Sequence, residues 1–342
     1  MENISLSPIV LFVYNRSEHT KKTIEALIKN KYASESELFI FSDGPKKNDE
    51  DRIRVENVRK LINSIDGFRK IIIEESPNNK GLANSVISGV TKVIDKYEKV
   101  IVLEDDIVTG EDFLYYMNKG LDFYKNNKKI WSITGCALPI EIPKEYSYDI
   151  YLSLWPASWS YGTWKDRWQK TDWDVKDYDK LKKSKIKQFL FSSIRPDTFN
   201  LLKAQMDGYV DSWAIRWTYS QYKEKAFSIF PVTSYIQNIG YDGSGAHCDV
   251  TDKFNTIIDH ELYSVVFSNN LKLNRKLVKS LKTLFVREIA ADLSQAPRKN
   301  KRILSGIKRI IKCILRPFVR PLLNHIRMII REEIALTKTD DK

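Results

Sequence analysis

The sequence predicts an α/β fold with a mainly parallel central sheet that is flanked by helices. Short apolar runs alternate, along the first 135 residues, with longer segments that repeat apolar residues every three or four positions. The apolar runs are almost uninterrupted, as expected for strands that are covered on both faces. The chain has 342 residues, 42% of them hydrophobic, which is enough for one large core or two moderate ones.

The elements of the first half follow from these patterns in chain order. Five apolar runs are predicted to be strands: residues 8–14, 37–44, 70–76, 99–105 and 130–135. Amphipathic patterns between them predict helices over residues 17–30, 48–64, 81–97 and 109–125. We expect Ser17 to cap the first helix and Thr109 to form a capping box with Asp112 at the start of the fourth.

The amino-acid composition and pattern of the chain change at about residue 136. Residues 155–173 hold five of the eight tryptophans, residues 180–187 are rich in lysine, and residues 197–206 are predicted to form a helix. Asp211 is well placed to cap a further helix that begins at Ser212. The glycines in residues 230–249 predict a mobile loop.

Charge and cysteine content narrow the classes of function. Residues 298–331 contain eleven Lys and Arg and no acid, which accounts for nearly all of the net charge of +12. The remaining chain is almost neutral, so we expect no nucleic-acid partner. The basic tail alternates cations with aliphatic residues, which is typical of a segment on an anionic membrane surface, or of a helix that packs on protein. Three widely spaced cysteines indicate a reducing compartment. No run is long enough to span a bilayer.

Three acids, Glu104, Asp105 and Asp106, lie at the carboxyl end of the fourth predicted strand. Ligands of open parallel sheets bind beyond the carboxyl ends of the strands. Carboxylates at such an end suit Mg²⁺ or Mn²⁺, which prefer oxygen ligands and often share a diphosphate. Alternatively, Asp105 or Asp106 caps the next helix. A P-loop enzyme is excluded because the chain has no GxxxxGK[ST] segment, and a dinucleotide GxGxxG is also missing.

Six motifs carry a resemblance that covers about residues 7–250: PIVLFVYNRSEHTKKTIEAL, FIFSDGPK, NKGLANSVISGV, VIVLEDDIV, WSYGTWKDRW and NIGYDGSGAHC. In this order they resemble bacterial glycosyltransferases of the nucleotide-diphospho-sugar transferase (GT-A) type. They are similar to family 2 enzymes and, around LEDDI, to N-acetylglucosaminyltransferase I. Glu-Asp-Asp stands where many such enzymes have Asp-x-Asp. The resemblance implies a GT-A fold, an inverting mechanism and a Mn²⁺ or Mg²⁺ requirement.

The resemblance also implies roles at the donor site. Asp106 would be the direct metal ligand, with Glu104 and Asp105 facing the donor sugar or ribose. Asp43 would contact the uracil or ribose, or would simply form an Asp-Gly turn. The nucleotide pocket would be lined by Tyr14, Asn15 and Arg16. Arg16 would pair with the diphosphate or would form a surface ion pair. The helix that begins after Lys80 and Gly81 has free N–H groups that suit an anion.

The acceptor side has its own candidates. Asp211 is the candidate general base, with Asp207 as the second choice. His247, in the glycine-rich segment, would reach the metal or the diphosphate, or would be a surface histidine. Trp159 and Trp164 would form an acceptor platform, although core packing is the usual role of tryptophan.

We therefore predict a metal-dependent inverting glycosyltransferase, either a hexosyl- or an N-acetylhexosaminyltransferase. It would move a sugar from a UDP-sugar to a hydroxyl of a bacterial surface glycan or a lipid-linked glycan. The transferase domain would span residues 1–265, with a nucleotide-sugar-binding half (1–135) and an acceptor-binding half (136–265), followed by a basic helical extension (266–342). We expect a cytoplasmic protein, peripheral on the inner face of the membrane. The alternatives are a sugar nucleotidyltransferase and a catalytically silent glycan-binding or scaffold subunit.

Overall fold

A computed structural model describes residues 4–244, 258 and 265–295 of the chain. The strands are β1 Ile9–Val13, β2 Glu37–Ser42, β3 Lys70–Glu75, β4 Lys99–Glu104, β5 Ile107–Thr109, β6 Ile130–Thr134, β7 Ile150–Ser153, β8 Ser160–Trp164, β9 Phe227–Pro231 and β10 Ile236–Asn238. The helices are α1 Ser17–Ile28, α2 Asp49–Ile62, α3 Leu82–Tyr97, α4 Phe113–Tyr124, α5 Lys165–Trp168, α6 Tyr178–Lys183, α7 Lys185–Phe191, α8 Thr198–Met206, α9 Trp213–Glu224 and α10 Arg275–Gln295. The chain divides into two compact units, residues 1–286 and 287–342, and both sheets belong to the first.

The main sheet has the strand order β3-β2-β1-β4-β8-β6-β9-β7. The first four strands of this order are parallel, β8 is antiparallel to both of its neighbours, β9 is parallel to β6, and β7 is antiparallel to β9. A small second sheet pairs β5 with β10 in antiparallel fashion. The predicted α/β class, with a mainly parallel central sheet flanked by helices, is confirmed.

The two faces of the main sheet bury separate cores because successive strand residues point to opposite sides. Ile9 and Leu11 of β1 belong to the core that includes residues of α1 and α4. Val10 and Phe12 face the other core, which is lined by α3 and by tryptophans of the second half. Both faces of β1 are therefore covered, which explains its unbroken apolar run.

The five strands and the helices predicted from the sequence are present, with ends shifted by a few residues. Two of the caps predicted for the first half are wrong. Arg16 rather than Ser17 holds the cap position of α1, and no side chain caps it. Thr109 lies in β5 and accepts a hydrogen bond from Asn30 Nδ2 (2.8 Å), so it forms no capping box with Asp112.

The polar and glycine-containing strands of the second half were not predicted. β8 includes Ser160 and Gly162, yet it is fully buried in the middle of the sheet. A β-carbon on Gly162 would lie 2.9 Å from Leu121 Cδ1, so α4 packs closely against this strand. The start of the region predicted as a loop forms β9 and β10 instead.

The residues that follow the second sheet also join the body. Val265 and Phe267 are buried in the main core, and Leu277 and Leu281 of α10 are buried with Tyr151 and others. Among the described residues, no helix has the length and apolar character that crossing a membrane requires. The basic segment 298–331 lies outside the described residues.

Candidate functional site

The carboxyl ends of β1, β2, β3 and β4 meet at one edge of the main sheet, as their parallel pairing requires. The register aligns Phe12 with Glu104 and Val13 with Ser42, so the residues after each strand are neighbours in space. This edge therefore brings Tyr14, Asn15 and Arg16 together with Asp43, Ser76 and the acids Glu104, Asp105 and Asp106, as the sequence predicts.

Arg16 lies between the two aspartates that follow β4. One of its amino groups, Nη2, donates to Asp105 Oδ1 and to Asp106 Oδ2, the latter at 2.9 Å. Burial acts to lower the pKa of Arg16, but the charges of Asp105 and Asp106 raise it overall. Arg16 thus forms the ion pair that was one of its two predicted roles, although this pair is largely buried and lies within the acidic cluster.

The three acids are only partly neutralised. Asp105 Oδ2 and Asp106 Oδ1 are buried and have no hydrogen-bond partner among the described residues. Burial, together with the charges of Asp106 and Asp105, raises the pKa of Glu104 to about 8. Burial also raises the pKa of Asp105, although Arg16 opposes this shift. One guanidinium therefore faces three carboxyl groups that are packed too closely to ionise independently.

Backbone contacts hold the acidic segment in place. The Thr23 hydroxyl of α1 donates to the Asp105 carbonyl (2.8 Å), and the Ile239 N–H donates to the Asp106 carbonyl (2.9 Å). A β-carbon on Gly240 would overlap the Asp106 carboxylate. The glycine therefore permits the segment after β10 to pass directly over this aspartate.

The residues present fit a divalent cation that arrives with a ligand. Among residues 4–244, 258 and 265–295, no three Asp, Glu, His or Cys side chains form a cluster that would hold a metal alone. Mg²⁺ and Mn²⁺ are, however, commonly bound by one or two carboxylates, with phosphate oxygens and waters completing the coordination. The two buried carboxylate oxygens of Asp105 and Asp106 that have no partner are of the kind that such a cation prefers.

Asp43 connects the end of β2 to the start of α3. Its carboxylate accepts hydrogen bonds from the backbone N–H groups of Gly44 (2.8 Å), Lys80 (2.9 Å) and Gly81 (3.1 Å). Gly81 has φ +78°, a conformation that glycine adopts without strain. The predicted anion site before α3 thus already contacts a carboxylate of the chain itself.

Asp211 also lies at the start of α3. Its Oδ2 accepts from the Ala83 N–H at 3.3 Å, and its side chain is half exposed. The cap of α9 is Ser212, whose hydroxyl accepts from the Ile215 N–H, so the prediction that Asp211 caps this helix is wrong. Asp207, the second choice for the base, pairs with Lys203 one turn earlier on α8.

Asp51 of α2 is a buried acid at this edge that sequence reasoning missed. It accepts hydrogen bonds from Tyr14 Oη (2.5 Å), Asn15 Nδ2 (2.6 Å) and the Lys46 N–H (2.6 Å). Its own N–H donates to Asn48 Oδ1, and this capping spacing is the signal that the sequence offered. Burial and Asp51 raise the pKa of Tyr14, which remains a neutral hydrogen-bond donor.

The segment after β10 connects the acidic cluster with α1. Tyr241 packs edge-on against Trp159, with ring centroids 5.7 Å apart, and Asp242 Oδ2 lies 3.1 Å from His19 Nε2. His247, the predicted metal or diphosphate contact, lies outside the described residues.

The two tryptophans predicted for the acceptor site differ in their surroundings. Trp159 is partly buried and borders the segment that covers Asp106. Trp164 is buried in the core, where its Nε1 donates to the Leu121 carbonyl (3.1 Å) and Arg167 stacks on its ring (4.1 Å). The burial of Trp164 contradicts its predicted place in an acceptor platform and agrees with the alternative, the usual packing role of tryptophan.

Comparison with family models and comparison with curated proteins each give no match. Among solved structures, the chain is similar to the crystal structure of S. aureus TarS, with 12% identity and a TM-score of 0.37 over 69% of this chain and 37% of that chain. It is also similar to the crystal structure of S. aureus TarS 1-349, with 11% identity and a TM-score of 0.36 over 67% of this chain and 59% of that chain. The chain thus spans less than two thirds of the length of either structure that it resembles.

Proposed function

We propose that the chain is a metal-dependent, inverting glycosyltransferase of the GT-A type, which transfers a sugar from a UDP-sugar to a hydroxyl of a bacterial surface glycan. The observation that carries this proposal is the pair Asp105 and Asp106, which share a single guanidinium and each keep one buried oxygen without a hydrogen-bond partner among the described residues. A divalent cation with a diphosphate is the ligand that best fits such a pair.

The donor site is proposed at the carboxyl ends of β1, β2 and β4. Asp106 would ligate the cation, with Glu104 and Asp105 facing the sugar or ribose. When bound, the cation would neutralise charge on the departing diphosphate. Tyr14 and Asn15, fixed by Asp51, would border the nucleotide together with Asp43.

Arg16 would have two successive partners. In the absence of donor it neutralises Asp105 and Asp106. Once a cation neutralised the two aspartates, the Arg16 guanidinium would be available to a diphosphate oxygen. Guanidinium groups form strong charge-assisted hydrogen bonds with such oxygens. Both predicted roles of Arg16 are compatible in this scheme.

The acceptor would approach from the side of Asp211 and Trp159. Asp211 would accept the proton of the attacking hydroxyl, for which a half-exposed carboxylate at the start of α3 is suitably accessible. Trp159 would offer part of an apolar surface to a sugar ring. His247 would contact the metal or the diphosphate.

Donor binding is tested by thermal denaturation with a panel of nucleotide sugars, with and without Mn²⁺. We expect a UDP-sugar and Mn²⁺ together to raise the melting temperature more than either alone, because ligands that bind the native state stabilise it. Asp106→Asn should abolish the additional rise in melting temperature that the UDP-sugar and Mn²⁺ give together. Asp122→Asn should keep it, since Asp122 is an exposed acid that pairs with Lys125. An unchanged UDP-sugar and Mn²⁺ response in Asp106→Asn would contradict the proposed site.

Catalysis is tested by UDP release in the presence of acceptor glycans. Asp211→Asn should lower turnover by about 10²- to 10⁴-fold, the usual contribution of a general base. Its thermal response to donor should be retained. Pyrophosphate formation from UTP and a sugar 1-phosphate would instead identify a nucleotidyltransferase, and binding without turnover would identify a silent subunit.

A further inference from the structure

The lysine-rich segment of the second half forms a surface that the proposed donor and acceptor sites do not use. Helix α7 exposes the aliphatic side chains of Ile186 (73%) and Leu190 (49%). The exposed lysines Lys180, Lys182 and Lys183 belong to α6, and the exposed lysines Lys185 and Lys187 belong to α7. We call these seven residues the α6–α7 surface.

The inner side of α7 packs against the body through two buried side chains, Gln188 and Phe191. Gln188 is buried and donates to the carbonyls of Leu181 (3.2 Å) and Lys182 (2.6 Å). Phe191 is buried against Tyr219 and Tyr222, with ring centroids 5.1 and 5.2 Å apart. Ile186 and Leu190 lie one turn apart on the opposite, exposed side.

The charges of these lysines are not balanced by ion pairs among the described residues. Within the part of the chain that the structure describes, none of the five forms an ion pair. Lys182 lies over the Tyr178 ring (5.7 Å), and Lys185 donates to Gln188 (3.3 Å). The same stretch, residues 179–191, contains one acid, Asp179, so its net charge is +4.

We propose that the α6–α7 surface binds the anionic phospholipid surface of a bilayer. Exposed aliphatic side chains on a helix that also carries exposed lysines are suited to the boundary between headgroups and acyl chains. Lysines near such a surface gain attraction to anionic lipid that decreases with salt. A second copy of this chain is a poorer partner, because a two-fold contact would bring ten lysines together. This surface is distinct from the tail, residues 298–331, which was predicted to bind membranes from its sequence.

A local probe tests this surface independently of any other membrane contact. The full chain with Cys248→Ser and Cys313→Ser keeps one cysteine, Cys136, which is buried. In this background Leu190→Cys is labelled with an environment-sensitive fluorophore. Ile53→Cys, at an exposed aliphatic position of α2 (54%), is the matched control.

We expect vesicles of phosphatidylcholine with phosphatidylglycerol to shift the emission of the probe at position 190 to the blue, and the probe at position 53 to remain unchanged. Phosphatidylcholine alone should have little effect, and added salt should reverse the shift. Adding Lys183→Glu and Lys187→Glu should raise the anionic lipid concentration needed for half of the shift by about tenfold or more. The same charge change at two other exposed lysines, Lys22→Glu in α1 and Lys29→Glu directly after it, should leave this lipid concentration unaltered.

Four results would overturn the proposal. The first is an unchanged probe at position 190 while the protein sediments with the vesicles, which would place the membrane contact elsewhere. The second is the absence of any vesicle binding. The third is a shift that appears without lipid as the protein concentration rises, which would identify a second copy. The fourth is an equal shift with a soluble acidic polypeptide, which would identify an acidic protein partner.

Discussion

Arg16 has two roles at this edge of the main sheet: its guanidinium pairs with Asp105 and Asp106, and its backbone holds the cap position of α1. Its position directly after β1 places the guanidinium beside the residues that follow β4, because these two strands pair in parallel. The sequence was sufficient to predict that the acids and Arg16 lie at the same edge. It did not predict which carboxylates Arg16 contacts, because this depends on the course of the chain after each strand.

Removing this guanidinium should destabilise the protein. In the absence of divalent cations, we expect Arg16→Ala to lower the free energy of unfolding by about 3 to 5 kcal/mol, because Asp105 and Asp106 would be left buried without a countercharge. Mn²⁺ should restore part of the free energy of unfolding that Arg16→Ala loses. The gain on adding Mn²⁺ should be smaller in wild type. Urea denaturation with and without Mn²⁺ measures both effects.

The control for this prediction is Arg52→Ala. Arg52 forms an exposed ion pair with Asp49 on α2, and such pairs contribute about 1 kcal/mol or less. If Arg16→Ala were as stable as Arg52→Ala without metal, the two aspartates would not be held as a charged pair in the native protein.

At the scale of elements, Asp51 shows how a helix start can position the end of a distant strand. Its carboxylate joins α2 to the residues after β1 through Tyr14 and Asn15. Such a contact between residues about 36 positions apart leaves no periodic signal. Local patterns therefore predicted the helix but not the hydrogen bonds that Asp51 accepts in its first turn.

The contribution of Asp51 to stability should depend on pH. Burial acts to raise its pKa, but hydrogen bonds from Tyr14, the Lys46 N–H and Asn15 lower it overall. A carboxyl with a lowered native pKa stabilises the protein above its unfolded pKa of about 3.9, and this stabilisation is lost as the pH falls through the native value. We expect Asp51→Asn to be less stable than wild type by about 1 to 3 kcal/mol at pH 7.

This difference should narrow below about pH 4, where wild-type Asp51 also becomes protonated. Melting temperatures between pH 7 and pH 3 test the expectation, with Asp49→Asn, an exposed acid of the same helix turn, as the control. A constant difference between Asp51→Asn and wild type over this range would show that the effect of the substitution is steric rather than electrostatic.

The strand β8 was not predicted because its sequence has no unbroken apolar run. It is buried on both faces, but Ser160 and Gly162 interrupt the apolar pattern that marks the other buried strands. Thr163 donates across the sheet to the Trp131 carbonyl (2.8 Å). The burial of β8 therefore depends on tertiary contacts that a local pattern does not reveal.

At the scale of the whole molecule, Cys136 reports on the integrity of the main core. Its side chain is buried, and burial raises the pKa of its thiol to about 12. At pH 8 the thiolate fraction would be on the order of one part in ten thousand, and the thiolate is the reactive form. With Cys248→Ser and Cys313→Ser, we expect Cys136 to react with Ellman's reagent at the rate of unfolding in urea. Labelling of the native protein as fast as a free thiol would contradict this.

The sheet order has a consequence for how the chain can be divided. β8 lies between β4 and β6, although both of these strands precede it in the sequence. The first 135 residues alone would leave a gap of about 10 Å, one strand wide, between β4 and β6. Placement of β6 in the main sheet therefore waits for segments that are synthesised later. A cut near residue 135 would leave β3, β2, β1 and β4 together in the first fragment but would separate β6 from both of its neighbours, β8 and β9.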